Sequence, residues 1–214
     1  MGTSLICFAV AEEARFFRAF AAARPDLVVL ITGMGAQNSA RSLRAALERK
    51  RPEQVLTCGF AGGLDPALRS GDVIFDADAD LPLNAALLKA GARRVRFHCA
   101  ERVLTTVAEK TQARHATGAD AVEMESSVIR AACRAAGIPS ATVRVISDAA
   151  DEALPLDFNR LLTADQKIHF GRLALALIRS PGKIPALLRL QRRTRNAAGQ
   201  LTRVLAEVLG GSAS

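Results

Sequence analysis

The segment Ala121–Asp148, AVEMESSVIRAACRAAGIPSATVRVISD, sets acids at both ends of one strand–helix–strand unit. Ala121–Met124 reads as a short buried strand. From Glu125 onward, Val128, Ile129, Ala132, Cys133 and Ala136 recur at the spacing of one helix face. Gly137 and Pro139 end that helix, and Thr142–Ile146 is β-rich again. Asp148 follows at the carboxyl end of the second strand, the edge on which open α/β sheets bind ligands. Glu123, Glu125 and Asp148 can therefore converge on one cleft, where carboxyl groups can transfer protons and stabilise developing positive charge. Taken singly, each acid also has a structural role to fill. The helix dipole favours Glu125 in a first turn, and Asp after a strand is a common turn former.

The rest of the chain alternates in the same way. Leu5–Val10 and Leu27–Thr32 read as strands around a short helix from Glu12, and Ala36–Arg49 is helical after Gly33-Met34-Gly35. Val55–Phe60 is a strand, Ala61–Gly71 is turn-rich, and Asp72–Phe75 is a strand. Leu83–Ala90, Val95–Cys99 and Thr105–Ala116 continue as helix, strand and helix. This order predicts an α/β fold of three layers, with a mixed, mainly parallel sheet flanked by helices. Residues 1–214 form one domain in this reading, with 163–214 as a basic helical extension.

Composition narrows the function. Half of the 214 residues are apolar, enough for a sizeable core. Cys7, Cys58, Cys99 and Cys133 form no CxxC pair, which fits reduced thiols in a cytoplasmic protein and no metal site. Glu12 and Glu13 interrupt the N-terminal apolar stretch, so it reads as a first strand and not as a signal peptide. The glycines of Gly33-Met34-Gly35 lack a third partner, since Asn38 stands where the dinucleotide fingerprint has Gly. There is no Walker A lysine, GxSxG elbow or HExxH, so hydride transfer, nucleotide hydrolysis and serine hydrolysis all lose support.

The net charge of +8 lies entirely in the tail: residues 1–166 carry 20 basic and 20 acidic residues, whereas the last 48 carry nine Lys or Arg against Glu207. Leu173, Leu175, Leu177 and Ile178, then Ile184, Leu187, Leu188 and Leu190, then Leu201, Val204, Leu205, Val208 and Leu209 form helical patterns punctuated by Pro181-Gly182 and Gly199. Such a tail either packs on the sheet with a solvated basic face or lies on an anionic membrane surface, with Ile184–Arg195 as the interfacial piece. Nucleic acid is disfavoured, because the chain has no Trp or Tyr to interleave with its basic residues.

From about Leu5 to Leu162 the motifs, in order, resemble those of the nucleoside phosphorylase and nucleosidase superfamily, including the methylthioadenosine/S-adenosylhomocysteine nucleosidases. AVAEEARFF is similar to their first strand and catalytic carboxylate, which the resemblance puts at Glu13. TGMG resembles their TGIG turn, and CGFAGGLDPALRSGDVI resembles the glycine segment beside ribose and nucleophile, adding Phe60 and Gly62. AVEMES is similar to VEMEA, where Met124 would pack on the sugar and Glu125 would bind its hydroxyls. ISDAAD is similar to ISDVAD, where Asp148, beside Ser147, would act on the purine. Phe158 falls where an aromatic lines the nucleosidase pocket. The resemblance implies N-glycosidic cleavage without metal or organic cofactor, with phosphate as an alternative co-substrate, in a homodimer.

Departures from the pattern refine that expectation. Thr57 and Phe60 stand where phosphorylases place phosphate ligands, which favours water; Arg41 is an alternative anion ligand. The purine-binding Phe-Ile pair becomes Arg102-Val103, leaving backbone groups of Val103 for adenine, and Asp76–Val95 is short where nucleosidases have an insertion. RVLTTVAEK, TGADAVEMES, LPLDFNRLL and the arginine-rich end resemble most the hopanoid-biosynthesis-associated phosphorylase branch. That resemblance implies a lipid-linked nucleoside such as adenosylhopane as substrate and peripheral contact with the inner membrane face. A methylthioadenosine- or futalosine-type nucleosidase, a true phosphorylase and a noncatalytic nucleoside- or lipid-binding protein remain as alternatives.

Overall fold

The first strand sets the layering. In β1 (Ser4–Phe8) side chains alternate between two cores, with Ile6 and Phe8 on one face and Leu5 and Cys7 on the other. The structure, a computed structural model, describes residues 2–161, 163 and 180–210. Along it follow α1 (Ala11–Ala21), β2 (Leu27–Ile31), α2 (Ala36–Arg49), β3 (Gln54–Gly63), β4 (Val73–Ala77), α3 (Leu83–Lys89) and β5 (Arg93–Arg94). Then come β6 (Phe97–Cys99), α4 (Val107–Thr117), β7 (Ala121–Glu123), α5 (Ser126–Ala135), β8 (Ser140–Asp148) and the long helix α6 (Ile184–Gly210).

The main path of the sheet runs β2-β1-β3-β8-β4-β5, with β7 and β6 attached to the end of β3. Pairing is parallel from β2 through β8, whereas β4 runs antiparallel to β8 and β7 antiparallel to Gly62-Gly63 of β3. It is the expected mixed, mainly parallel sheet. Phe17 of α1, Leu87 of α3 and Leu201 and Leu205 of α6 cover the face bearing Ile6, Phe8, Leu56 and Phe75. Leu43 of α2 and Ile129 and Cys133 of α5 cover the other face. The central strands are thus buried on both sides, which is why SLICF, QVLTCGFAGG and SATVRVISD are nearly uninterrupted runs without surface charge.

Three expectations change. The β3 strand runs through Gly63, three residues past the predicted end, because Gly62 and Gly63 find a pairing partner in β7. Val95–Cys99 splits, with only Phe97–Cys99 in a strand. Gly199 does not interrupt α6, since Ala197, Ala198, Leu201, Val204, Leu205 and Val208 anchor that part of the helix in the core. The apolar pattern at Leu173–Ile178 lies outside the described residues. All four cysteines are free, and Cys7, Cys58 and Cys133 are buried. Among the described residues no helix is long and apolar enough to cross a membrane.

Candidate active site

The carboxyl ends of β1, β3, β7 and β8 open into one cleft of about 290 Å3. Glu13, Phe60, Gly62, Val103, Glu123, Met124, Glu125, Ser147, Asp148 and Phe158 all line it, whereas Thr57 and Arg41 do not. The means of positioning differ. Glu13, in the first turn of α1, is tied back to the end of β1, where its Oε2 accepts from the amides of Ala9 (3.1 Å) and Val10 (3.3 Å). Its Oε1 accepts from Phe60 N–H of β3 at 3.0 Å. Glu125 precedes α5 and accepts from Gly35 N–H at 3.0 Å, which ties β7 to the glycine turn after β2.

A residue without a sequence signal organises these acids. Arg144, in the middle of β8, has a side chain only 1% exposed and donates to Glu123 Oε2 at 2.7 Å and Glu125 Oε2 at 3.4 Å. It also donates to the Cys58 carbonyl (2.9 Å) and to Thr57 Oγ1 (3.2 Å). Gly59, at φ 146°, makes room for it, since a Cβ there would stand 2.5 Å from Arg144 Nη1 and 2.8 Å from Glu13 Oε1. One guanidinium thus pairs with two buried carboxylates and acts electrostatically on a third, Glu13. Burial raises the carboxyl pKa of Glu13 to about 7, with Arg144 opposing the rise and Glu125 adding to it. Glu125 is raised by the same burial and by Glu123, again against Arg144. For Glu123 burial is outweighed by Arg144 and by donors from Ser126 and the Glu125 amide, so its pKa is lowered.

Those donors correct the reading of Glu123 as a substrate ligand. Its oxygens accept from Glu125 N (3.0 Å), Ser126 N (2.8 Å), Ser126 Oγ (2.7 Å) and Arg144 (2.7 Å), so the carboxylate caps α5 and anchors the arginine. Arg144→Lys should cost about 2 kcal/mol of stability, because an ammonium cannot reproduce the planar fork toward Glu123, Thr57 and the Cys58 carbonyl. Chemical denaturation of the two proteins measures this, and equal midpoints would count against the fork.

Asp148 closes β8 beside a second buried cation. Lys110 Nζ lies 2.5 Å from Asp148 Oδ2, and Ser147 Oγ donates to Oδ1 at 2.5 Å. Asp148 therefore sits hydrogen-bonded in an ion pair buried at the cleft floor. Gly62 lets β3 approach it, since a Cβ there would lie 3.3 Å from Oδ2.

The walls are mostly apolar: Met34, Met124, Phe60, Leu104, Leu154 and Phe158, with Leu190 and Thr194 contributed by α6. Val103 is corrected in one respect. Its N–H donates to Asn159 Oδ1 and its carbonyl accepts from Asn159 Nδ2, both at 2.9 Å, so neither backbone group stands open to a ligand. Arg102 lines the cleft and is paired to Glu109 at 2.7 Å. Arg41 instead lines a neighbouring polar hollow beyond Met34 and Met124 and donates to Asn38 at 2.9 Å. It does not line the cleft itself.

Comparisons with known proteins agree with this architecture. The profile of the Phosphorylase superfamily matches residues 6–79 and 74–179. The chain is similar in structure to the 5′-methylthioadenosine/S-adenosylhomocysteine nucleosidase of Neisseria meningitidis in complex with methylthio-immucillin-A, with a TM-score of 0.71 at 18% identity over 99% of this chain and 100% of that one. The Colwellia psychrerythraea nucleosidase in complex with adenine aligns with a TM-score of 0.71 at 19% identity over 98% and 95%. A futalosine hydrolase mutant of Helicobacter pylori aligns at 0.67 and 17% over 97% and 100%.

Proposed function

Because this chain belongs to the Phosphorylase superfamily, we propose that it hydrolyses the N-glycosidic bond of an adenine nucleoside, and that this nucleoside is lipid-linked, of the adenosylhopane kind. The observation that carries the reading is the meeting of Glu13, Glu125 and Asp148 in one cleft whose remaining walls are apolar. Similar folds are named as adenine nucleoside nucleosidases, in one case holding adenine.

The division of labour follows from the environments. Asp148, at the end of β8, faces the purine and delivers the proton that N7 needs as the base departs. Glu125, held between Gly35 and Arg144, accepts from the ribose hydroxyls and favours the oxocarbenium-like charge. Met124 packs on the sugar and Phe158 on the base. Glu13, whose pKa near 7 suits a general base, deprotonates the attacking water. The Asn159 carboxamide presents Val103 with a donor and an acceptor, the same pair that the N6 and N1 edge of adenine carries. Adenine therefore exchanges with Asn159 at that backbone. Water is favoured over phosphate because Arg102 is the sole Lys or Arg among the cleft-lining residues described, and it is already paired. Both terminal nitrogens of Arg144 are engaged below the floor, by the Cys58 carbonyl, Thr57 and the two glutamates. The scheme uses side chains and water alone.

The lipid part rests on α6. Its second half is anchored in the core, while its first half carries exposed Ile184 and Leu188 (42% and 52%) among exposed Arg189, Arg192 and Arg195. The same stretch contributes Leu190 and Thr194 to the cleft wall. The helix suited to an anionic surface is therefore also a wall of the cleft. Arg193 is set apart, being paired to Glu152 at 2.6 Å. Replacing Arg189, Arg192 and Arg195 by Gln should weaken binding to phosphatidylserine vesicles by about 3 kcal/mol, on the order of 100-fold. High salt should mimic the change. Adenosylhopane presented in such vesicles should be cleaved faster than methylthioadenosine. A preference for methylthioadenosine, with no vesicle binding, would reduce the reading to an ordinary nucleosidase.

A further inference from the structure

Lys110 is an ammonium in an unusual place. It sits on α4, its side chain is 1% exposed, and its three protons meet three acceptors: Asp148 Oδ2 at 2.5 Å, the Ala149 carbonyl at 2.6 Å and the Glu152 carbonyl at 2.8 Å. Around it, β8 supplies Asp148 and the loop after β8 supplies the two carbonyls. The Glu152 carboxylate turns away to accept from the Ala149 amide (3.2 Å) and to pair with Arg193 of α6. Gly62 of β3 brings no charge. Ser147 holds Oδ1, so the oxygen facing Lys110 is the other one.

Resting on the nucleosidase reading above, we propose that Lys110 is the proton source for the departing adenine, acting through Asp148 as a positioning residue. A carboxylate paired with an ammonium carries no proton of its own to give, and the nearest one is on Nζ. A purine that leaves with the bonding electrons approaches the basicity of an amine, so the transfer becomes balanced as the bond breaks. The pair is also dry, and a proton shift that removes two buried charges is less opposed there than in water.

The steps balance. The C1′–N9 bonding electrons pass to the purine. One proton moves from Nζ to Oδ2 and from Asp148 to N7, leaving a neutral Lys110 amine, an Asp148 carboxylate, neutral adenine and a ribosyl cation. Water adds to C1′ and gives its proton to Glu13. Solvent then takes the proton from Glu13 and restores the one on Lys110, so the cycle consumes one water.

Lys110→Gln keeps a donor for Asp148 and a carbonyl but has no transferable proton, and Lys110→Met removes both. In wild type, kcat for adenine release should show no acid-favouring limb between pH 6 and 9. In both variants kcat should fall about 100-fold at pH 8 with little change in KM. Measured relative to wild type, whose own rate falls as Glu13 protonates, it should then recover as pH is lowered, because Asp148 must draw its proton from solvent. Adenine binding, measured calorimetrically without turnover, should tighten toward acid pH in the variants and stay flat in wild type. A purely structural lysine predicts a uniform loss with an unchanged pH profile, and that result in Lys110→Gln would overturn the inference. Should Lys110→Met fail to fold, Lys110→Gln alone decides. If wild type neither releases nor binds adenine, the nucleosidase reading fails and this inference with it. If wild type is active and both variants match it across pH, only this inference fails.

Discussion

Asp148→Asn is expected to lower kcat for adenine release by about 10³-fold, because an amide cannot pass a proton to N7. The substitution changes little of the shape, since the Asn oxygen can still accept from Lys110 while its NH2 donates to the Ser147 hydroxyl, which turns to accept. It does change the charge. The Lys110 ammonium, buried against Asp148, would keep its two carbonyl partners and lose its counter-ion. Breaking one side of a buried pair typically costs about 3 kcal/mol, so the variant should also denature earlier. The double variant Asp148→Asn with Lys110→Met should recover part of that stability and none of the activity. Near-wild-type adenine release by Asp148→Asn would remove the residue from the acid role altogether.

Glu13→Gln is expected to lower kcat to a similar degree, and it carries a second signature in pH. The base must be ionised to accept a proton, and burial holds Glu13 at about 7, so wild-type activity should climb through neutral pH and level off by about pH 8. The same shift has a consequence for stability. Folding raises this pKa from 4.5 to about 7, so between those values the native state keeps a proton that the unfolded chain has lost. Stability therefore falls as pH rises across that window, by up to about 3 kcal/mol from this group. Wild type should lose that much more than Glu13→Gln between pH 4.5 and 8, as read by urea midpoints. Parallel stability curves would show that Glu13 is not strained by its burial, and an active Glu13→Gln would exclude it as the base.

How much of this was legible without coordinates differs by residue. The acids announce themselves because a carboxylate after an apolar strand or before a helix breaks the local pattern, and Glu13, Glu125 and Asp148 all do so. The α2 bounds, Ala36–Arg49, follow directly from the glycine turn before them and the loss of apolar period after them. The end of β3 was not legible, since Gly62 and Gly63 look like a turn until β7 pairs with them. Arg144 was hidden for a different reason. Within VRVISD it resembles a polar residue on the outer face of a strand, and only its partners 21 and 19 residues back turn it into a buried counter-ion. An arginine in a strand otherwise buried on both sides is the clue that can be used. Lys110 offered less, because in AEKTQARH it is one charge among several on a polar helix and its partner is 38 residues away. Asn159 was illegible for the same reason, with Val103 56 residues distant.

The central claim is that water, activated in this cleft, displaces adenine. The most direct measurement is adenine release from adenosylhopane in phosphate-free buffer made with 18O-labelled water, with the sugar product examined by mass spectrometry. The prediction is full-rate release of adenine and one 18O at the anomeric position, unchanged when phosphate is added. Release that requires phosphate and yields a sugar 1-phosphate, or no release of adenine from any nucleoside, would contradict it.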